Sequence, residues 1–181
     1  MLIKNTPRRF GLLTRLLHWV IAALILFLVW LGWYMVGLDY YDRWYYGARS
    51  WHESLGMCVL LLALAKVAWQ WYSPLPDAQA GLRPRERAAA AAMHYLLLLL
   101  MLLIPLTGYL TSTSDGKAVP VFDWFQVPAL VAHHTALRDW AIRLHYLMAY
   151  GIIVLVLGHA GAALKHQFID RDGTLARMLW K

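Results

Sequence analysis

At 181 residues, 61% of them hydrophobic and 15% charged, with a mean hydropathy of +0.49, the chain is too apolar for an ordinary soluble domain. A net charge of +7 would suit nucleic acid, but the basic residues cluster between apolar runs. That distribution speaks for orientation in a membrane and against nucleic-acid binding. The lone cysteine, Cys58, excludes an internal disulfide, and without a Cys-x-x-Cys-His motif any haem would be held non-covalently.

The predicted organisation is a single all-α transmembrane domain over residues 1–181, with spans at about 16–38, 52–72, 88–110 and 144–164. A polar, basic start carries Lys4, Arg8, Arg9 and Arg15. The first span has His18 at its entry and Trp30 and Trp33 near its exit; it is too long for a signal sequence's apolar core and is expected to remain in the protein. Residues 39–51 form an aromatic-rich interfacial turn. The second span opens near His52 or Ser54, contains Lys66 close enough to its end to snorkel, and is stopped by Ser73-Pro74-Leu75-Pro76. A loop with Arg83, Arg85 and Arg87 leads to the third span, which carries His94 and Pro105. Residues 111–143 read as the longest loop, with Asp115-Gly116 as its turn signal. The fourth span holds His145 and His159, and a polar tail follows.

Four spans put both termini on one side. The start, the arginine loop and the tail hold eleven Lys/Arg, whereas the other two loops hold five against six acidic residues, counting Glu53 at the edge of the second span. By the positive-inside rule the termini are cytoplasmic.

Ionisable residues within spans mark functional sites. His145 and His159 are fourteen residues apart, which returns to within about 40° of one helix face and separates the rings by about 21 Å. His52 matches the depth of His145 on the outer side, and His18 that of His159 on the inner side. Imidazoles at matching depth on neighbouring helices can supply both axial ligands of a haem iron, so two pairs would make two stacked haems. Depth alone leaves His94 as an alternative partner for His159. Zinc fits less well, because no Cys or carboxylate ligands cluster at short spacing. His133, His134 and His166 read as solvated and non-ligating.

Asn5-Thr6-Pro7, Leu17-His18-Trp19, His52-Glu53-Ser54-Leu55-Gly56, the stretch Gly108-Tyr109-Leu110-Thr111-Ser112-Thr113-Ser114-Asp115-Gly116-Lys117, Leu144-His145, Gly158-His159-Ala160 and Lys165-His166-Gln167-Phe168-Ile169-Asp170 together resemble the bacterial di-haem cytochrome b561 family. The resemblance runs nearly end to end and implies a four-helix membrane cytochrome b of the bacterial inner membrane, with two haem b groups. It implies that His18 and His159 ligate the inner haem iron and His52 and His145 the outer one, leaving His94 outside the ligand set. Lys66 departs from the arginine expected in relatives. The family further implies exchange with the ubiquinone pool of a respiratory chain and, in some members, a superoxide oxidase activity.

A bis-histidine iron has no open position and suits electron transfer. No catalytic residue can be named from the sequence. His94 is a candidate contact for quinone or a haem propionate. Lys117, Arg138 and Arg143 offer attraction for superoxide at the outer surface, where a periplasmic redox protein is the other candidate partner. Alternative readings are a cytochrome subunit of a larger dehydrogenase or hydrogenase complex, and a non-redox membrane protein with structural histidines; the short loops and tail favour a stand-alone cytochrome.

Overall fold

The computed structural model describes residues 2–78, 81–131 and 133–179. Four long helices, α1 (Leu12–Val36), α2 (Tyr45–Tyr72), α3 (Pro84–Thr113) and α4 (Thr135–Phe168), are each long and apolar enough to cross a membrane. Helix α1 packs along α2, α2 along α3 and α3 along α4. Between α3 and α4 lies a two-stranded antiparallel hairpin of β1 (Val119–Val121) and β2 (Phe125–Val127), and a short α5 (Thr174–Leu179) follows α4. The outward faces are apolar, with Phe27, Trp30, Leu61, Leu99, Leu147, Val154 and Leu157 all exposed. A bilayer, not water, is the solvent such a surface fits.

Three of the helices run beyond their apolar stretches, because interfacial aromatic and polar residues continue them without a breaker. Helix α2 starts at Tyr45, inside the expected aromatic turn. Helix α4 starts at Thr135, where the Nδ1 atom of His134 accepts the Leu137 amide as an N-terminal cap. Pro84 opens α3, whose first turn is closed by Glu86 accepting the Arg83 amide. The expected 111–143 loop therefore shrinks. Much of the remainder is the hairpin, which turns at Phe122 and Asp123, both at positive φ. Neither residue is the Gly or Asn that usually announces such a turn. Buried Ser54 compensates: its hydroxyl donates to the Pro120 carbonyl at 3.3 Å and accepts the Phe122 amide at 3.1 Å, pinning the hairpin over the start of α2.

At the opposite end, the N-terminal segment is tied to α2 and α5. Asn5 donates its amide to the Ser73 hydroxyl and its side-chain NH2 to the Ser73 carbonyl, both at 2.9 Å, while its Oδ1 accepts from the Gly11 amide and the Thr14 hydroxyl at 2.8 Å. Trp69 extends this network by donating to Thr14. Helix α5 folds back so that Trp19 donates to the Met178 carbonyl and Arg15 to that of Leu179. Asn5→Ala should destabilise the protein by about 2 kcal/mol, since it strips partners from several half-buried groups at once. Unfolding in detergent, followed by helical circular dichroism, would measure it; a loss within error of zero would make the network dispensable.

The polar tail expected from Lys165 onward is partly helical, and His166 is not solvated as anticipated. Because α4 continues to Phe168, the His166 Nδ1 is held 2.9 Å from Asp170 and 3.0 Å from Asp172. His133 remains exposed, 3.8 Å from Asp115.

Residues seven apart stay nearly on one helix face, and this spacing organises the bundle's interior in layers. Midway along the helices, Met101 of α3 and Ile152 of α4 form a buried apolar layer with Ile25 of α1 packed against them; Val59 of α2 is also buried. Seven residues to either side of these four positions stand His18, Lys66, His94 and His159 on the inner side, and Gly32, His52, Gly108 and His145 on the outer side. An apolar layer thus separates two polar levels.

Candidate functional site

Helix α4 contributes one histidine to each level. At the outer level the His145 ring faces that of His52 from α2, with centroids 6.1 Å apart and planes at 69°. At the inner level the His159 ring faces that of His18 from α1 at 6.2 Å and 58°. The backbones of the helices that carry these facing pairs do not pack closely along each other; the close helix contacts are those between sequence neighbours. The rings therefore meet across gaps, not within tight seams.

Two imidazoles sharing one iron would have centroids about 6 Å apart, given metal–nitrogen bonds of about 2 Å and about 1 Å from each nitrogen to its ring centre. Both pairs match that separation. The local environment also suits ligation. The His145 Nδ1–H donates to the Ile104 carbonyl at 2.9 Å, with the Thr107 hydroxyl 3.3 Å away, on the turn of α3 that Pro105 interrupts. This fixes the tautomer and leaves Nε2 free, as an orienting partner does for a metal-bound histidine. His52 has a buried Nδ1 without a hydrogen-bond partner among the described residues. A Cβ built on Gly32 would lie 3.3 Å from the His52 Cε1, and one on Gly108 would lie 3.2 Å from the His145 Cε1. Glycine at both positions leaves the rings room that a side chain would take. The residues present fit haem at both levels.

His94 of α3 packs on His159 with centroids 5.4 Å apart at 70°. That separation is shorter than the distance across an iron, and suits edge contact between the two rings. The histidines meet ring to ring; among the described residues no group of three His, Cys, Asp or Glu side chains gathers as a site for a bare metal ion.

A profile of the prokaryotic cytochrome b561 family matches residues 9–181. The chain belongs to that family. This cytochrome b561 is also similar to cytochrome b561 homolog 2 of Escherichia coli (strain K12), at 42% identity over 181 residues, covering 100% of this chain and 96% of the relative. Cytochrome b562 of Cereibacter sphaeroides is 31% identical over 173 residues, covering 90% of each chain. Membership establishes a multi-pass membrane cytochrome b whose cofactor is haem b and whose work is electron transfer.

The sequence singled out five histidines, and the cytochrome b561 fold brings all five to the two levels. It did not single out Gly32 or Gly108, although a signal was there: each lies fourteen residues from a histidine on its own helix, His18 and His94 respectively. Lys66, expected to snorkel, is half-buried at the inner level. Of the outer cations, Arg138 is engaged by Asp115 at 3.2 Å and Asp139 at 3.6 Å. Among the described residues Lys117 and Arg143 form no ion pair.

Proposed function

We propose that this cytochrome b561 is a stand-alone, quinone-linked di-haem electron carrier of the bacterial inner membrane, with its termini on the cytoplasmic side. His18 and His159 hold the inner haem iron, and His52 and His145 the outer one. The observation that carries this reading is the pair of histidine couples at nearly equal ring separation, 6.2 and 6.1 Å, one on each side of the apolar layer. Bound haem would supply reversible one-electron chemistry. The protein's part is geometric and electrostatic. Four imidazoles would hold the two irons, the Ile104 carbonyl orients one of them, and the apolar layer around Met101 and Ile152 separates the two levels. The purified protein should contain two haem b per chain, extractable by acid acetone; one haem, or haem retained covalently, would overturn the two-pair reading.

Quinone is the proposed partner at the inner level, where His94 adds a hydrogen-bonding ring that ligation leaves free. His94→Ala should keep both haem spectra and slow oxidation of the reduced protein by ubiquinone about tenfold, in the usual range for loss of a positioned hydrogen-bonding group. Stopped-flow kinetics measure this, and unchanged rates in a fully loaded variant would return His94 to a packing role. Superoxide is the proposed donor at the outer surface, because Lys117 and Arg143 stand free of carboxylate partners among the described residues and can attract a small anion. Reduction of the oxidised protein by superoxide, slowed by rising salt, would support it; no reduction would leave quinone exchange alone.

A further inference from the structure

At the outer level the two positions that face the histidine couple are glycines, Gly32 and Gly108. At the inner level the equivalent positions are Lys66 and His94, each offset by fourteen residues along its own helix from an outer-level residue, His52 and Gly108. The two levels are therefore built alike in their ligands and differently in their flanks. One flank is bare; the other carries a cation.

Lys66 is half-buried in the bundle. It stands fourteen residues from His52 along α2, nearly on the same helix face, which places its backbone at the inner level. Among the described residues no carboxylate pairs with it, whereas Lys165, Arg49 and Arg138 each have at least one. A charged side chain within a span generally faces the protein interior and seeks a partner there. Among the described residues no carboxylate supplies it. The inner haem, in the ligand assignment proposed above on which this inference rests, would carry two propionate carboxylates.

We propose that Lys66 binds a propionate of the inner haem and sets that haem's midpoint potential above the outer one. A fixed ammonium beside the inner haem favours the state that holds one more electron, and a low-dielectric surrounding strengthens the effect. At the outer level glycines flank the couple, and the cations nearest it in sequence, Arg49 and Arg143, lie toward the outer ends of their helices. Electrons entering from the outer side then settle at the inner level, beside His94. Lys66 is in this sense a positioning and tuning residue that touches the cofactor's periphery and takes no part in ligation.

The test uses the purified full-length holoprotein and two readouts, haem-to-protein ratio and spectroelectrochemical midpoints, for the parent, Lys66→Met and Lys66→Arg. The expected result is two haems throughout, with the higher midpoint moved downward in Lys66→Met, restored in Lys66→Arg, and the lower midpoint unmoved. Parent protein reconstituted with haem dimethyl ester, whose propionates carry no charge, should instead show its midpoint moved upward, opposite in sign to Lys66→Met, because the carboxylate charges are gone while the ammonium stays. Unmoved midpoints in Lys66→Met, or an equal shift of both, would overturn the proposal. Should Lys66→Met shed the inner haem, Lys66→Arg decides: haem regained supports a carboxylate contact, and haem still missing overturns it. Failure of the underlying ligand assignment is seen separately, as a parent protein with one haem or an inner haem that survives His18→Ala.

Discussion

Replacing His52 or His145 by alanine is expected to halve the haem content, from two per chain to about one, with the surviving haem spectroscopically unchanged. His18→Ala and His159→Ala should each give the complementary loss, removing the inner haem and sparing the outer. The separation of the levels is what makes these losses independent: the Met101–Ile152 layer lies between the couples and does not depend on either. Sites without shared partners behave additively, so His52→Ala combined with His18→Ala should give a haem-free but folded bundle. Pyridine haemochrome assays on purified variants read the ratio directly. Loss of both haems in a single variant would mean that the levels fold as one unit; loss of a haem in His94→Ala with none in His18→Ala would exchange those two residues in the ligand set.

Gly108→Val should abolish outer-haem binding although it removes no ligand. The added Cβ alone would sit 3.2 Å from the His145 Cε1, and the two further methyl groups force the ring to move. The ring is anchored through Nδ1 to the Ile104 carbonyl, so movement costs that bond as well as overpacking, together about 2–4 kcal/mol. Gly108→Ala should act in the same direction more weakly. Gly151→Ala supplies the control: its Cβ would meet only the Leu100 Cδ1 at 3.9 Å, an ordinary contact, and removing a helical glycine should be neutral or stabilising by up to about 1 kcal/mol. Titration of haem into apoprotein, followed at the Soret band, separates the three variants. An unchanged outer-haem affinity in Gly108→Val would show that the His145 ring is not confined from that side.

The parts of this fold written in hydrophobicity were legible from the sequence. Four apolar runs, their helical character, and the depths of His18, His52, His94, His145 and His159 all follow from counting residues against a rise of about 1.5 Å. Parts that depend on partners distant in sequence were not. Asn5 reads as an ordinary loop residue, and only the approach of Ser73, Gly11 and Thr14 makes it a hub. The hairpin has no turn signature because Ser54, over sixty residues away, holds Phe122 in place. His166 looked solvated because its two carboxylate neighbours act only once the chain reverses after α4. Lys66 is a different case. Its distance from the helix end permits snorkelling, and depth alone says nothing about which way round the helix a side chain points. The fourteen-residue offset from His52 carries that information.

The same offset has an electrical consequence. Levels fourteen residues apart on each helix are separated by about 21 Å, roughly two-thirds of a hydrocarbon core of about 30 Å. In the two-haem arrangement, an electron passing between them crosses that share of the membrane voltage, which amounts to about 1.6 kcal/mol for each 100 mV. In the proposed orientation, with the cytoplasm negative, voltage drives the electron outward while the Lys66 ammonium, in the role inferred above, draws it inward. The distribution of one electron between two irons would then report how strongly the membrane is energised, shifting by roughly tenfold or more per 100 mV.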